Sequence, residues 1–421
     1  MKDRIKENQE RLTENPDGRV CVFNETDPLK DLVIWGEPGC ETILGQLLPE
    51  DESLFCKKFD VLEGRSEFKN MQKLLENSGI NVIRMKDVIA ENPIIDPNMP
   101  NTISELSELI KRRGRDFYEF YKDHPDYGVN KEKGEYKGDL RILDYVDQIL
   151  AEDVLKYHGE EKAIALNWTL CISEDRPMAN IMYARDQSNA LGDKIIMSRM
   201  KREIRQPEVK LFRRGYQLLG YEDKLVDVDG GNFEGGDAFM FGNNCLVGCD
   251  VRTNQEGIKR IYKGIKSLLE SRGMKLYSVA YDGEERKPGE EMDAMHLDTY
   301  MMPLNEDKVL ACGEEVDKRR VELVSFNKGD ISFKNIGSLR DFLKLIEVEV
   351  IDISKEEQMG YSTNFLHLGN NTVVVPLDDE EHRNVNTIMR KLGLDVKVAN
   401  IKELVGGYGA VHCMTAALLR E

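Results

Sequence analysis

Five residues far apart in the chain carry the chemistry that the sequence suggests. They are Asp186 in MANIMYARDQS, Glu234 in NFEGGDAF, His296 and Asp298 in AMHLDTYMM, and Cys413 in GGYGAVHCMT. Each has an ordinary reading on its own. A single cysteine is more often a small buried hydrophobe than a nucleophile, and Gly235-Gly236 between two acids is more often a plain turn. His296 and Asp298 read as part of a short strand, whose alternation puts both ionisable groups on one face and Leu297 on the other. Cys413 follows a glycine-rich loop and precedes a helix-like tail, MTAALLRE. Backbone N–H groups at a helix start favour the thiolate, so a depressed thiol pKa is expected there.

Together the five say more. A cysteine nucleophile with a histidine acid/base is a recurring arrangement, in which a third group orients the imidazole. Glu234 suits that place. Asp186 and Asp298 then have no task in ordinary acyl transfer. They acquire one if the substrate carries a planar cation, because a guanidinium presents its N–H groups in a fork that carboxylates accept bidentately. The set points to attack on a guanidinium carbon.

Such residues need rigid elements to bring them together, and the chain alternates strand-like and helix-like stretches. KDLVIWG (30–36), the helical FKNMQKLLENSG (68–79) and the strand INVIRM (80–85) form a strand–helix–strand unit. From about 88 to 165 the pattern turns helical and charged, with a polar loop over 124–138. Strand–helix alternation then resumes: KIIMSRM, DAFMFGNNCLVG, KLYSVAY, KVLACG, IEVEVIDI and NTVVVP read as strands. GIKRIYKGIKSLLESRG, SLRDFLKLIE and EHRNVNTIMRKLG read as helices. Similar units in succession predict a pseudo-repetitive α/β fold.

Composition narrows the partners. A net charge of -18 disfavours nucleic acid and anionic membranes, which reward a basic face. No apolar run approaches the roughly 18 residues that span a bilayer, and the polar stretch MKDRIKENQERLTENPDG has no targeting character. A cytoplasmic protein is expected. Its cysteines (Cys21, Cys40, Cys56, Cys171, Cys245, Cys249, Cys312 and Cys413) are scattered, which predicts reduced thiols. Cys245 and Cys249 lie four apart without a third ligand nearby, so no metal site is predicted.

The series ARD, EGGD, HLDT and GGxxxxHCMT resembles, in order and in similar separation, the motifs of arginine deiminases within the guanidino-modifying (pentein) superfamily. VIWGEPGCETILGQLLPE, FDVLEGRSEF and VGCDVRTNQEGIKRI extend the resemblance over most of the chain, the first two falling where a deiminase carries its first strand and turn. The resemblance implies a five-bladed pseudo-symmetric α/β propeller around a central pocket. It implies one catalytic domain over 1–421 with a helical insertion at 88–165. Cys413 would attack the guanidinium carbon, and His296 would protonate the departing ammonia and later activate water. Glu234 would orient His296, while Asp186 and Asp298 would hold the guanidinium nitrogens. Asn180, Arg252 and Arg205 match positions that contact the amino-acid end of arginine. No metal or organic cofactor is implied. The partner is a small cationic guanidino substrate, and a homo-oligomer is compatible with the family.

The sequence also departs from that pattern. Tyr408 stands where the family places an arginine in the glycine loop, His412 where an arginine often precedes the cysteine, and Ala184 where a threonine is usual. The GG…HC form is closer to agmatine deiminases and amidinotransferases. Conversion of arginine to citrulline and ammonia, amidino transfer, hydrolysis of agmatine or a modified arginine, and guanidine binding without turnover all stay open.

Overall fold

Short apolar runs with β-branched residues form strands, and the amphipathic stretches between them form the helices that cover them. A computed structural model describes residues 19–55, 58, 60–123, 139–284, 292, 294–327 and 329–421. Cys56 and the polar loop expected over 124–138 lie outside these residues. Among the described residues the strands make five sheets. No helix there is long and apolar enough to cross a membrane.

The five sheets share one plan. In the first, β1 (Leu29–Ile34) is parallel to β2 (Asn81–Arg84) and antiparallel to β17 (Thr415–Arg420). In the second, β3 (Ser188–Leu191) is antiparallel to β4 (Lys194–Met197), which is parallel to β5 (Leu225–Asp227). The third repeats this with β6 (Ala238–Phe241), β7 (Asn244–Cys249) and β8 (Lys275–Tyr281). β9 (Met301–Pro303), β10 (Lys308–Cys312) and β13 (Glu349–Ile353) make the fourth. β14 (Leu366–Gly369), β15 (Thr372–Val375) and β16 (Asp395–Val398) make the fifth. A long hairpin, β11 (Arg319–Asn327) and β12 (Asp330–Ser338), extends the third sheet beyond β8.

Each parallel pair needs a crossover, and a helix supplies it. The helix Val61–Asn77 joins β1 to β2; it starts where Asp60 Oδ1 accepts from Leu62 N (2.9 Å) and Glu63 N (3.1 Å). The helix Gln255–Arg272 joins β7 to β8. Asn254 caps its start, and Gly273 ends it at a φ of +64°. Its buried Ile258, Ile261, Ile265 and Leu269 recur at helical spacing and pack with Val247 and Leu276 of the sheet. Between β2 and β3 lie the helices Met85–Glu91, Ile103–Tyr121, Val146–Lys156 and Glu160–Cys171, with no strand among the described residues.

Three local expectations are corrected. MTAALLRE supplies β17, not a helix: its apolar run is compatible with either, and pairing with β1 decides. Leu297–Thr299 is a 3-10 turn, not a strand, because Thr299 Oγ1 donates back to His296 O at 2.7 Å. Residues 60–68 of FDVLEGRSEF cap and open the Val61–Asn77 helix and make no turn.

One short segment precedes the inner hairpin strand of every unit. These segments carry Asp186, Asp237, Asp298, Asn364 and Cys413 ahead of β3, β6, β9, β14 and β17. Hydrogen bonds link them in a closed cycle. Arg185 N donates to Cys413 O (2.9 Å), Asn189 Nδ2 to Gly235 O (2.8 Å) and Leu297 N to Asp237 Oδ1 (3.0 Å). Asn364 Nδ2 donates to Asp298 O (3.3 Å), and His412 N to Asn364 O (3.2 Å). Residues distant in sequence thus meet at the centre of the ring.

Candidate active site

The EGGD turn explains its own glycines. A Cβ on Gly235 would lie 2.0 Å from Arg185 O, and one on Gly236 would lie 2.9 Å from His296 Nδ1 and 3.0 Å from Asp298 Oδ1. Only glycine lets this turn pass beneath those side chains. A plain surface turn would have no such neighbours.

The turn sets Glu234, fully buried, against His296: Glu234 Oε2 lies 3.0 Å from His296 Nε2. Its other oxygen accepts from Lys201 N (3.1 Å) and lies 3.7 Å from Arg252 Nη1. Burial alone would raise the Glu234 pKa, but Arg252 and His296 outweigh it and hold it at about 2. Burial alone would lower that of His296. The hydrogen bond to Glu234 and the charges of Asp186 and Asp237 outweigh this and raise it to about 9. His296 is therefore an imidazolium at neutral pH, with Nδ1 3.8 Å from Asp186 Oδ1. Asp237 accepts from Leu297 N, and burial pushes its pKa up to about 7.

Cys413 sits 3.8 Å from Asp298 Oδ2 and 3.1 Å from Asn364 Nδ2. Burial pushes its thiol pKa well up, and Asp298 and Asp186 add to the rise. The depressed thiol expected from a helix start is therefore overturned: no helix follows, and two carboxylates face the sulfur. Asp298 Oδ2 also lies 2.7 Å from His412 Nδ1, while His412 Nε2 is 3.7 Å from Glu25.

Asp186 is held by Arg205, whose Nη1 donates to Oδ2 at 2.7 Å. The same guanidinium donates to Glu208 Oε2 (2.9 Å) and to Asn180 O (3.2 Å). All three nitrogens of Arg205 are thus engaged within the protein. The Asn180 amide donates to Ser53 O at 2.6 Å. Arg252 differs. It is buried, and its Nε and Nη1 have no hydrogen-bond partner.

One pocket of about 300 Å³, counting solvent at its mouth, is lined by Asn180, Asp186, Arg205, Arg252, His296 and Cys413 together with Leu54, Tyr183, Met292, Met295, Gly407 and Tyr408. Glu234 and Asp298 stand behind His296 and Cys413. Asp186 Oδ1 in the pocket and Asp298 Oδ1 behind it are buried without a hydrogen-bond partner. Unpaired buried carboxylate oxygens are costly and call for a donor. A planar cation with several N–H groups supplies donors for both.

Sequence reasoning did not single out Asn364, Glu208 or Glu25, and it read His412 only as a departure. Asn364 had a signal, since STNF precedes β14 as ARDQ precedes β3. Tyr408, at a φ of +64°, directs its hydroxyl to Glu50 Oε1.

The chain is similar to known proteins. The arginine deiminase family matches residues 51–420. The chain is 24% identical to an arginine deiminase of Metamycoplasma arthritidis, with 96% of this chain and 97% of that one covered. It is 22% identical to an arginine deiminase of Halobacterium salinarum, with the same coverage. Among solved structures, DDAH from Pseudomonas aeruginosa in complex with citrulline has a similar fold. It superposes with a TM-score of 0.52 at 16% identity, over 93% of this chain and 99% of that one. An amidinotransferase from Microseira wollei gives 0.51 at 14% identity, over 96% and 97%. The mixed α/β fold is therefore that of these proteins.

Proposed function

The chain belongs to the arginine deiminase family, and on that footing we propose that it hydrolyses the guanidinium group of L-arginine to citrulline and ammonia. The observation that carries this reading is the pair of buried carboxylates at Cys413: Asp186, which lines the pocket with its Oδ1 unpartnered, and Asp298, whose Oδ2 lies 3.8 Å from the sulfur. They are acceptors awaiting a guanidinium.

The reaction follows from the charges. Burial opposes ionisation of Cys413, and Asp298 and Asp186 add to it. A bound guanidinium neutralises them, so substrate entry releases the thiol proton and creates the nucleophile next to its target. The sulfur bonds to the guanidinium carbon. His296, charged through Glu234, gives a proton to one terminal nitrogen, and that C–N bond breaks to release ammonia. The resulting thiouronium stays between the two carboxylates. A water then loses a proton to His296 and adds to the carbon, and the C–S bond breaks to return the thiolate. One arginine and one water yield citrulline and ammonia. No step requires a metal or an organic cofactor.

At the other end of the substrate, Arg252 has free N–H groups for a carboxylate. Arg205 instead acts on Asp186, and the Asn180 amide donates to Ser53 O. Tyr408, turned toward Glu50, gives no second cation for that carboxylate. This favours a second reading, in which the substrate is agmatine or another guanidine lacking the carboxylate. We further propose that the five sheets are blades of one propeller-like catalytic domain, that the helices after β2 are an insertion within it, and that the protein works in the cytoplasm.

Incubation with arginine, agmatine, methylated arginines and arginine plus glycine, with products identified by mass spectrometry, tests the assignment. Citrulline from arginine is expected. Release of ornithine with guanidinoacetate, and no citrulline, would identify amidino transfer instead.

A further inference from the structure

We propose that Asn364 is a catalytic residue of this site, which anchors the Cys413 loop with its carbonyl oxygen and donates a hydrogen bond from its amide nitrogen to the Cys413 sulfur. The proposal rests on the reading of Cys413 as nucleophile.

The amide cannot be turned round. Its Oδ1 accepts from Ala410 N and from Cys413 N, both at 3.1 Å, and a backbone N–H can only donate. Nδ2 is therefore the donor that faces Asp298 O at 3.3 Å and Cys413 Sγ at 3.1 Å. The segment is fixed from both sides: Thr363 Oγ1 donates to Thr299 O (2.7 Å), and His412 N donates to Asn364 O (3.2 Å). Asn364 itself is fully buried, where a hydrogen bond to charge gains strength.

A thiol sulfur is a weak acceptor and a thiolate a strong one, so the Asn364 bond favours the ionised form and strengthens as it appears. The charged groups nearest the sulfur act in the opposite sense, since Asp298 and Asp186 both oppose the thiolate. His296, Arg205, Arg252, Tyr183 and Tyr408 line the same pocket. Asn364 offsets the two carboxylates without adding a charge that would repel a cationic substrate. Within the repeated plan it occupies the place in the fourth link of the ring that Asp186 and Cys413 occupy in theirs. A neutral donor at that place serves the nucleophile, where a third acid would oppose it.

The test compares Asn364→Asp and Asn364→Leu with the wild type. The aspartate variant keeps the acceptor for both backbone N–H groups, loses the donor and adds an acid beside the sulfur. The leucine variant loses both functions without adding charge. Iodoacetamide labelling of Cys413 is followed by peptide mass across neutral to alkaline pH, alongside steady-state kinetics on arginine. Both variants should label about ten- to a hundredfold more slowly near neutrality, the worth of a hydrogen bond to a charged group. Their labelling profiles should move to higher pH, and kcat should fall with little change in KM. A variant that folds but labels at the wild-type rate, with an unmoved profile, overturns the role of the amide nitrogen. If Cys413→Ala still turns arginine over, the nucleophile assignment fails instead, and the two failures are thereby distinguished.

Discussion

Asp298 gives one carboxylate oxygen to His412, 2.7 Å away, and leaves the other buried and unpartnered. The oxygen that His412 holds is also the one that lies 3.8 Å from the Cys413 sulfur. His412 therefore aims an acid at the pocket, a task the sequence did not suggest. Replacing His412 with Phe should raise KM for arginine about tenfold or more and destabilise the fold by about 1–3 kcal/mol, because a buried carboxylate loses its partner. Urea denaturation and steady-state kinetics check both effects. A variant with wild-type KM would remove His412 from substrate binding.

The His296–Glu234 pair sets the alkaline limit of activity. With a His296 pKa near 9, its acid form persists through neutrality, and kcat/KM should fall as pH rises through about 9. The same sign applies to stability. A histidine whose folded pKa is raised contributes fully below its ordinary value and loses that contribution as pH rises through the folded one. Glu234→Gln removes the partner that raises it, so the alkaline fall should move to lower pH. A profile that stays in place would show that Glu234 does not control this proton.

Asp237 carries the same sign in a lower pH window. Burial raises its pKa to about 7, so the folded state binds more protons than the unfolded chain between its ordinary value and that point. This acid lowers stability as pH rises toward 7. Asp237→Asn keeps the acceptor for Leu297 N and cannot ionise. The variant should gain stability relative to wild type as pH rises from about 5 to about 8, as read by urea denaturation. A constant difference across that range would contradict the assignment.

Much of this was legible in the sequence, and the limits have physical causes. The five chemistry-bearing residues were found because their types make sense only together. The crossover helices were legible from apolar spacing, though the caps Asp60 and Asn254 that start two of them were not read. The HLDT turn was misread because two ionisable residues flanking a leucine fit a strand as well as a 3-10 turn, and the Thr299 back-bond decides. β17 was misread because its pairing with β1 depends on the far end of the chain, which local pattern cannot report. Asn364 was passed over because an asparagine carries no titratable signal, and only its place in the repeat gives it meaning.

Arg252 should decide between arginine and its decarboxylated analogue. Its Nε and Nη1 are buried without a hydrogen-bond partner, so Arg252→Gln should raise KM for arginine about ten- to a hundredfold. Turnover of agmatine should change far less. Equal loss on both substrates would place Arg252 with the His296–Glu234 pair, 3.7 Å from Glu234, and not with the substrate carboxylate.

The central claim is that Cys413 bonds to the guanidinium carbon. The most direct measurement is the intact mass of enzyme acid-quenched during turnover of arginine, in the wild type and in His296→Ala, where both the proton to ammonia and the activation of water are lost. The account predicts a mass gain equal to arginine less ammonia, mapped by peptide digestion to Cys413 and absent in Cys413→Ser. Citrulline formation by the wild type with no adduct in either protein, together with persistent turnover by Cys413→Ser, would contradict it.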